Sequence, residues 1–188
     1  MKILTKEEVL ANKQVVLEVI KNGAVFIHPT DTIYGLGCLA TDRKAVNVIR
    51  MIKERPQAPF SVIAPNKNWI KMHCNINDEA DSWIEKLPGP YTLIMKCKDG
   101  VACNVAPGLD SLGIRMPSHW FFDLVAEIGL PIVTTSANKT GQQFMTSLEN
   151  MDEDVAMHTS FIVYEGEKHG KPSSIVDLTK KKAKVIER

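Results

Sequence analysis

The stretch Ala24-Val-Phe-Ile-His28-Pro-Thr-Asp-Thr32-Ile-Tyr-Gly35-Leu-Gly37 decides how the rest of the chain is read. Ala24 to His28 is a short apolar run that Pro29 stops, the pattern of a buried strand. Three polar side chains and two glycines follow, the composition of a loop at a strand end. Upstream, Thr5 with Glu8 forms a capping box, and Val9, Leu10, Val16, Leu17 and Ile20 share one helical face. That spacing predicts one helix ending at Gly23. Downstream, Asp42 caps a second helix with Ala45, Val48, Ile49 and Ile52 on one face. Pro56 cannot continue it, so Lys53 and Arg55 fall at or just past its end.

The alternation continues to the C-terminus. Phe60–Ala64 reads as a strand, helices start at Asn66 and Asp78, and Pro88-Gly-Pro90 is a break. Tyr91–Lys96 and Leu112–Met116 read as strands. Ser118 is the expected cap of a helix carrying Phe121, Leu124, Val125 and Ile128 and closed by Gly129. Leu130–Thr135 is strand-like. A helical turn after Ser147 and strands near 161–164, 173–178 and 183–186 complete the pattern. Interleaved helices and strands without a Pro/Gly/Ser linker predict an α/β fold, a twisted mixed open sheet flanked by helices, in one domain over 1–188.

Composition narrows the function classes. The 188 residues are 44% hydrophobic and 24% charged, with 23 Lys plus Arg against 22 Asp plus Glu. A net charge of +1 excludes a generically basic nucleic-acid binder and leaves room for a local basic patch. No apolar run approaches the ~20 residues of a membrane span, so no membrane association is expected. The N-terminus is charged from Lys2, which predicts no signal peptide and a cytoplasmic location. Cys38, Cys74, Cys97 and Cys103 form no CxxC pair, so free thiols are expected and no metal site. There is no P-loop, no GxGxxG opening a helix and no GxSxG elbow.

Chemistry-bearing residues gather at three strand or helix ends: Thr30 to Thr32, Lys53 with Arg55, and Thr134-Thr-Ser136-Ala-Asn138. Ligands bind at such ends in open α/β sheets. Lys, Arg, hydroxyl and amide groups suit phosphate and carboxylate. Lys53 and Arg55 also suit an ordinary positive helix C-terminus, and Ser136 and Asn138 an ordinary loop. Of only five arginines, Arg115 lies in the strand-like Gly113-Ile-Arg-Met-Pro117, where a bare charge is costly. It either pairs with a protein carboxylate or receives an anionic ligand. His28 reads as a packed, hydrogen-bonded side chain.

In order along the chain, Pro29-Thr-Asp-Thr-Ile-Tyr-Gly-Leu-Gly, Lys53-x-Arg55-Pro, Pro88-Gly-Pro-Tyr-Thr-Leu, Gly113-Ile-Arg-Met-Pro, Thr135-Ser-Ala-Asn138 with Gly141, and Pro172-Ser-Ser-Ile-Val-Asp-Leu-Thr179 resemble the YrdC/TsaC family in its single-domain form. The resemblance implies a threonylcarbamoyl-AMP synthase, a nucleotidyltransferase. Such enzymes join L-threonine, bicarbonate or CO2, and ATP with Mg2+, and release pyrophosphate. Separate threonylcarbamoyl transferase machinery then modifies tRNA. It also implies a concave, positively charged cavity. Matched by motif, Lys53, Arg55, Ser136 and Asn138 correspond to the family's KxR…SxN tetrad at the nucleotide phosphates. Ser111 and Arg188 correspond to further ATP contacts. Thr32, Arg115, Thr134 and Ser173 correspond to threonine contacts, Arg115 holding the carboxylate. The chain departs from the pattern at Ala58, where an Asn contacts nucleotide, at Ile63, where a His borders threonine, and at Phe144, where a small Ser is usual. Those departures keep two alternatives open: a paralogue gripping double-stranded RNA or tRNA without this activity, or one adenylating a different small substrate.

Overall fold

In the computed structural model, which describes residues 1–180 and 182–187, Phe26–His28 forms strand β2 and turns back through the Pro29–Tyr34 loop into β3, Gly35–Leu39. Ahead of them come β1 (Lys2–Leu4), α1 (Lys6–Ala11) and α2 (Lys13–Lys21). After them come α3 (Arg43–Ile52), β4 (Ser61–Ile63), α4 (Lys67–His73), α5 (Asp78–Glu85), β5 (Tyr91–Lys96) and β6 (Ser111–Arg115). The chain continues through α6 (Phe121–Ile128), β7 (Ile132–Ser136), a 3-10 turn (Leu148–Asn150), α7 (Glu153–Met157), β8 (Phe161–Val163), β9 (Ser174–Asp177) and β10 (Lys184–Ile186). The strands form one mixed sheet in the order β1-β8-β2-β3-β7-β4-β6-β5-β9-β10. Pairs β1/β8, β2/β8, β4/β6 and β5/β9 are parallel, and the rest are antiparallel. The expected α/β architecture is the one observed.

Strand alternation sorts the side chains between two cores. Ile27, Leu36, Val62, Leu93, Ile114 and Val133 face α3, α4 and α5 in the larger core. Phe26, Leu39, Ile63, Ile132 and Phe161 face α1, α2 and α6 in the smaller. Each such buried side chain contributes about 1.5–3 kcal/mol relative to exposure. The smaller core covers only part of its face. Over β3, β4, β5, β6, β7 and β9 that face carries Gly35, Ser61, Thr92, Gly113, Arg115, Thr134 and Ile175 instead, and there the sheet is open as a cavity.

Several local expectations are corrected. The first helix breaks at Asn12, whose side-chain amide donates to the Glu8 carbonyl at 2.9 Å, a local bond that competes with helix continuation. Leu10 is consequently exposed, while Val9, Val16, Leu17 and Ile20 are buried. Ser118 does not cap α6: its N–H donates to Asp31 Oδ2 at 3.0 Å, and His119 Nδ1 takes the N–H of Phe121 at 3.2 Å. Gly35 and Gly37 lie within strand β3 and not in the loop, and His28 explains them. A Cβ on Gly35 would lie 2.8 Å from His28 Nε2, and one on Gly37 3.1 Å from the same ring. Cys74 and Cys97 are joined in a disulfide across an isolated antiparallel bridge, so two of the four expected free thiols are not free. Their separation of 23 residues hides the fact that α4 ends against the end of β5.

The end of α3 has an unforeseen geometry. Glu54 N–H bonds Met51 O and Arg55 N–H bonds Arg50 O, the paired bonds of a Schellman cap. Glu54 occupies the left-handed position at φ 49°, where glycine is usual. The Lys-x-Arg spacing therefore places Lys53 on the cap and Arg55 two residues past it, and the cap's reversal sends the two cations to different depths. Glu54→Gly relieves the left-handed strain and is expected to raise stability by about 0.5–1 kcal/mol, after the entropy glycine loses on folding. The check is the urea midpoint at unchanged m; a lower midpoint contradicts the strain.

Candidate active site

The open end of the sheet encloses a cavity of about 450 Å³. That is the size of a ligand cleft. Among the described residues, every buried polar side chain except Arg50 and Thr159 lies in or directly behind it. Buried polar groups are the informative exception to apolar interiors, so their concentration here marks the site. Arg55 and Arg115 are among its lining residues; Asp31 offsets the Arg115 charge, so the positive field is centred on Arg55 and the Lys53 behind it.

One end is built on β6, β7 and the Pro29–Tyr34 loop. Arg115 Nη2 donates to Asp31 Oδ1 at 2.9 Å and to Thr32 Oγ1 at 3.3 Å. Of the two readings of Arg115, the protein carboxylate is thus realised, and the side chain still faces the cavity. Thr30 Oγ1 donates to Ile33 O at 2.7 Å and accepts the N–H of Thr32 at 3.1 Å, which closes the loop tightly. Opposite, Thr92 and Ser173 hydroxyls meet at 2.7 Å. Thr134 Oγ1 lies 3.4 Å from His28 Nε2. His28 Nδ1 contacts Pro29 O at 3.2 Å, so Nδ1 carries the proton and Nε2 accepts. Burial pushes the His28 pKa down to about 3 against the raise from the Pro29 bond, with a lesser push down from the Arg115 charge, so the ring stays neutral.

The other end is built on the α3 cap and the loop after β7. Arg55, Ser111, Ser136, Pro59, Phe60 and Phe144 line it. Lys53 and Asn138 do not: they stand one layer behind Ser136. Lys53 Nζ donates to Ser136 O at 2.8 Å, to Asn138 Oδ1 at 2.9 Å and to Ser136 Oγ at 3.3 Å. Asn138 Nδ2 donates to the carbonyls of Lys139 and Gln142, both at 2.7 Å. Three of the four tetrad residues are therefore one hydrogen-bonded unit, with Arg55 beside it on the wall. Burial first, and the Arg55 charge second, lower the Lys53 pKa to about 8. Burial also lowers that of Arg55.

Of the site residues expected from sequence, Thr32, Arg55, Ser111, Arg115, Thr134, Ser136 and Ser173 line the cavity. Arg188 lies outside the described residues. Of the departures, only Phe144 is on the wall. Ile63 is fully buried in the smaller core, and Ala58 offers only its carbonyl, to Arg50 at 3.1 Å. Sequence reasoning missed Asp31, Thr92 and Arg50. Asp31 stands between two threonines of the opening stretch, and the need of Arg115 for a carboxylate was its one signal. Arg50 donates to the carbonyls of Asn104, Arg55, Ala58 and Val105, a structural pin for the Arg55 segment.

A family model for the Sua5/YciO/YrdC domain, described as telomere recombination, matches residues 18–188. A putative threonylcarbamoyl-AMP synthase of Methanocaldococcus jannaschii is 36% identical over 171 residues, covering 87% of this chain and 80% of the relative. A threonylcarbamoyl-AMP synthase of Mus musculus is 32% identical over 149 residues, covering 78% of this chain and 53% of the relative. The crystal structure of Pyrococcus abyssi Sua5 complexed with L-threonine superposes with a TM-score of 0.87 at 28% identity, covering 98% of this chain and 56% of that one. The chain thus spans about half the length of the mouse and Pyrococcus proteins.

Proposed function

This chain belongs to the Sua5/YciO/YrdC family, and from that premise we propose that it synthesises L-threonylcarbamoyl-AMP from L-threonine, bicarbonate or CO2, and ATP, in a single domain over 1–188 acting in the cytoplasm. The observation that carries the reading is the two-ended cavity: a buried Arg–Asp–Thr cluster at one end and a Lys–Ser–Asn unit with Arg55 at the other. The Arg115 fork receives the threonine carboxylate. Thr32, Thr134 and Ser173 hydroxyls border the rest of the amino acid. Thr134 gives its proton to His28, so its oxygen is left to accept from the substrate amine.

The amine takes up CO2, loses a proton and becomes a carbamate. A carbamate oxygen attacks the α-phosphorus of ATP, the bond to the β-phosphate oxygen breaks, and pyrophosphate leaves. No covalent enzyme intermediate is needed. The protein's part is to hold two anions together and to stabilise charge at the phosphorus, which is positioning plus electrostatics. Arg55, Ser111 and Ser136 meet the phosphates, and Lys53 with Asn138 fixes Ser136 and adds charge from behind. Arg188 joins the ATP contacts on the strength of its motif. Among the described residues no group of three or more His, Cys, Asp or Glu could hold a metal ion. Mg2+ would arrive with the ATP and offset charge on its phosphates. The product passes to transferase machinery that modifies tRNA, and on this reading the chain itself need not grip RNA.

The test is pyrophosphate release by the purified protein with MgATP and bicarbonate. Release is expected only when L-threonine is added, with serine and glycine far poorer. Folded protein that releases none, and instead binds tRNA or duplex RNA with steep salt dependence, overturns the reading in favour of an RNA-binding relative.

A further inference from the structure

The segment from Tyr164 to Ser173 runs from β8 across the Pro29–Tyr34 loop to the cavity wall, and a single carboxylate fastens it. Glu165 Oε1 accepts from His119 Nε2 at 2.8 Å and from Lys168 Nζ at 2.6 Å, and its Oε2 accepts from Trp120 Nε1 at 2.8 Å. His119 Nδ1 already takes the N–H of Phe121, so Nε2 carries the ring proton and donates. The three donors come from two separate segments, the start of α6 and the strap itself.

The strap grips the loop beneath it at three further points. Lys168 Nζ also donates to the Thr30 carbonyl at 3.0 Å. Tyr34 Oη donates to Gly166 O at 2.7 Å and accepts the N–H of Glu165 at 3.1 Å. Burial raises the Tyr34 pKa to about 12, so this hydroxyl keeps its proton. Gly170 presses on Thr32: a Cβ there would fall 2.0 Å from the Thr32 carbonyl oxygen. Only glycine permits that approach. Two residues later the strap becomes the wall carrying Ser173. The loop it covers carries Asp31, whose second oxygen is held by the N–H of Ser118, next to His119.

We propose that Glu165 is a positioning residue for the amino-acid end of the cavity, clamping the strap so that Thr32, Ser173 and the Asp31–Arg115 pair keep their places. The clamp rests on the synthase reading only for the identity of the ligand. None of the Glu165 carboxylate's bonds reaches Lys53, Arg55, Ser136 or Asn138; the strap's tie to the loop after β7, Lys168 N–H to Thr146 O at 3.0 Å, is a backbone bond made without the carboxylate, so the effect of losing the charge falls on the amino-acid end.

Glu165→Gln keeps the shape of the side chain and removes the charge that Lys168 and His119 share. Its threonine KM is expected to rise about tenfold, with the ATP KM and kcat within about twofold, because a lost charge-assisted bond acts here only through threonine placement. Lys168→Met is expected to give a similar rise, and the double variant no more than either alone. Hydrogen exchange of peptides covering 29–36 and 164–172 is read in parallel. Exchange in both is expected to quicken about tenfold in Glu165→Gln, whether or not the wild type releases pyrophosphate. Unchanged exchange overturns the clamp. Faster exchange with equal rises in both KM values overturns its confinement to the amino-acid end. If the wild type proves inactive while exchange quickens as expected, the clamp stands and the synthase reading falls.

Discussion

Arg115→Ala is expected to lower kcat/KM for threonine by about 10²–10³-fold while leaving the ATP KM within a few-fold. Truncating one member of a desolvated charge pair typically costs about 2–5 kcal/mol, and about 1.4 kcal/mol is a factor of ten. The Arg115 and Asp31 side chains are 9% and 11% exposed, so water does little to replace either. Part of that cost is structural, because alanine strips Asp31 of its cation in a poorly solvated place. Arg115→Lys separates the two effects. It keeps the charge beside Asp31 and loses the planar fork that matches a carboxylate. It is expected to melt near the wild type and still raise the threonine KM at least about tenfold. A folded Arg115→Ala protein with an unchanged threonine KM removes Arg115 from the amino-acid end. Asp31→Asn, which keeps an acceptor and loses the charge, is expected to fall between the two.

Much of this end was legible before any coordinates, and the reason is local. A lone arginine in an apolar strand needs an anion, whatever surrounds it. Sequence did not reveal that the anion is two residues past Pro29, because the β6-to-loop contact is set by sheet order and not by spacing. The sheet itself was readable from alternation, since short runs bounded by Pro and Gly leave few choices of element. Its ten-strand order was not, since that order is fixed by long crossovers, such as β3 to β7 (Leu39 to Ile132). Local competition produced the misreadings. Asn12 interrupts a helix whose apolar face is otherwise continuous, and a backbone bond to Asp31 takes Ser118 away from its cap. The Lys-x-Arg pair looked like a positive helix end, which it is. What the sequence did not show is that the two cations lie at different depths, because Glu54, a non-glycine in the left-handed position, gives no sequence signal for a Schellman turn. Ile63 shows what motif matching leaves out. Motif alignment set it beside the threonine; strand register does pair it with Arg115, but the Ile63 side chain is buried in the smaller core and does not reach the cavity wall.

Lys53→Met is expected to have the second large effect, on ATP and not on threonine: a fall of about 10²–10³-fold in kcat/KM for ATP, the scale for losing a preorganised charge at a reacting phosphate. The folded state also loses the donor to Ser136 O and Asn138 Oδ1, at about 1–3 kcal/mol for a buried acceptor left unmade. The pH dependence isolates the charge from the packing. With the Lys53 pKa held at about 8 in the folded protein, the free enzyme loses this cation as pH rises through that value. Wild-type kcat/KM for ATP should then fall above about pH 8. Stability should move the other way. The unfolded lysine titrates near 10.5, so between about pH 8 and 10.5 the unfolded chain binds more protons, and raising the pH through that window favours the folded state. A packing role alone gives the stability limb without the activity limb. Arg55→Gln, by removing the smaller of the two causes of the shift, should move both limbs to higher pH; limbs that stay in place would show that Arg55's charge is not felt at Lys53, and a flat wild-type activity profile from pH 7 to about 10 would exclude the Lys53 charge, one layer behind Ser136, from ATP turnover.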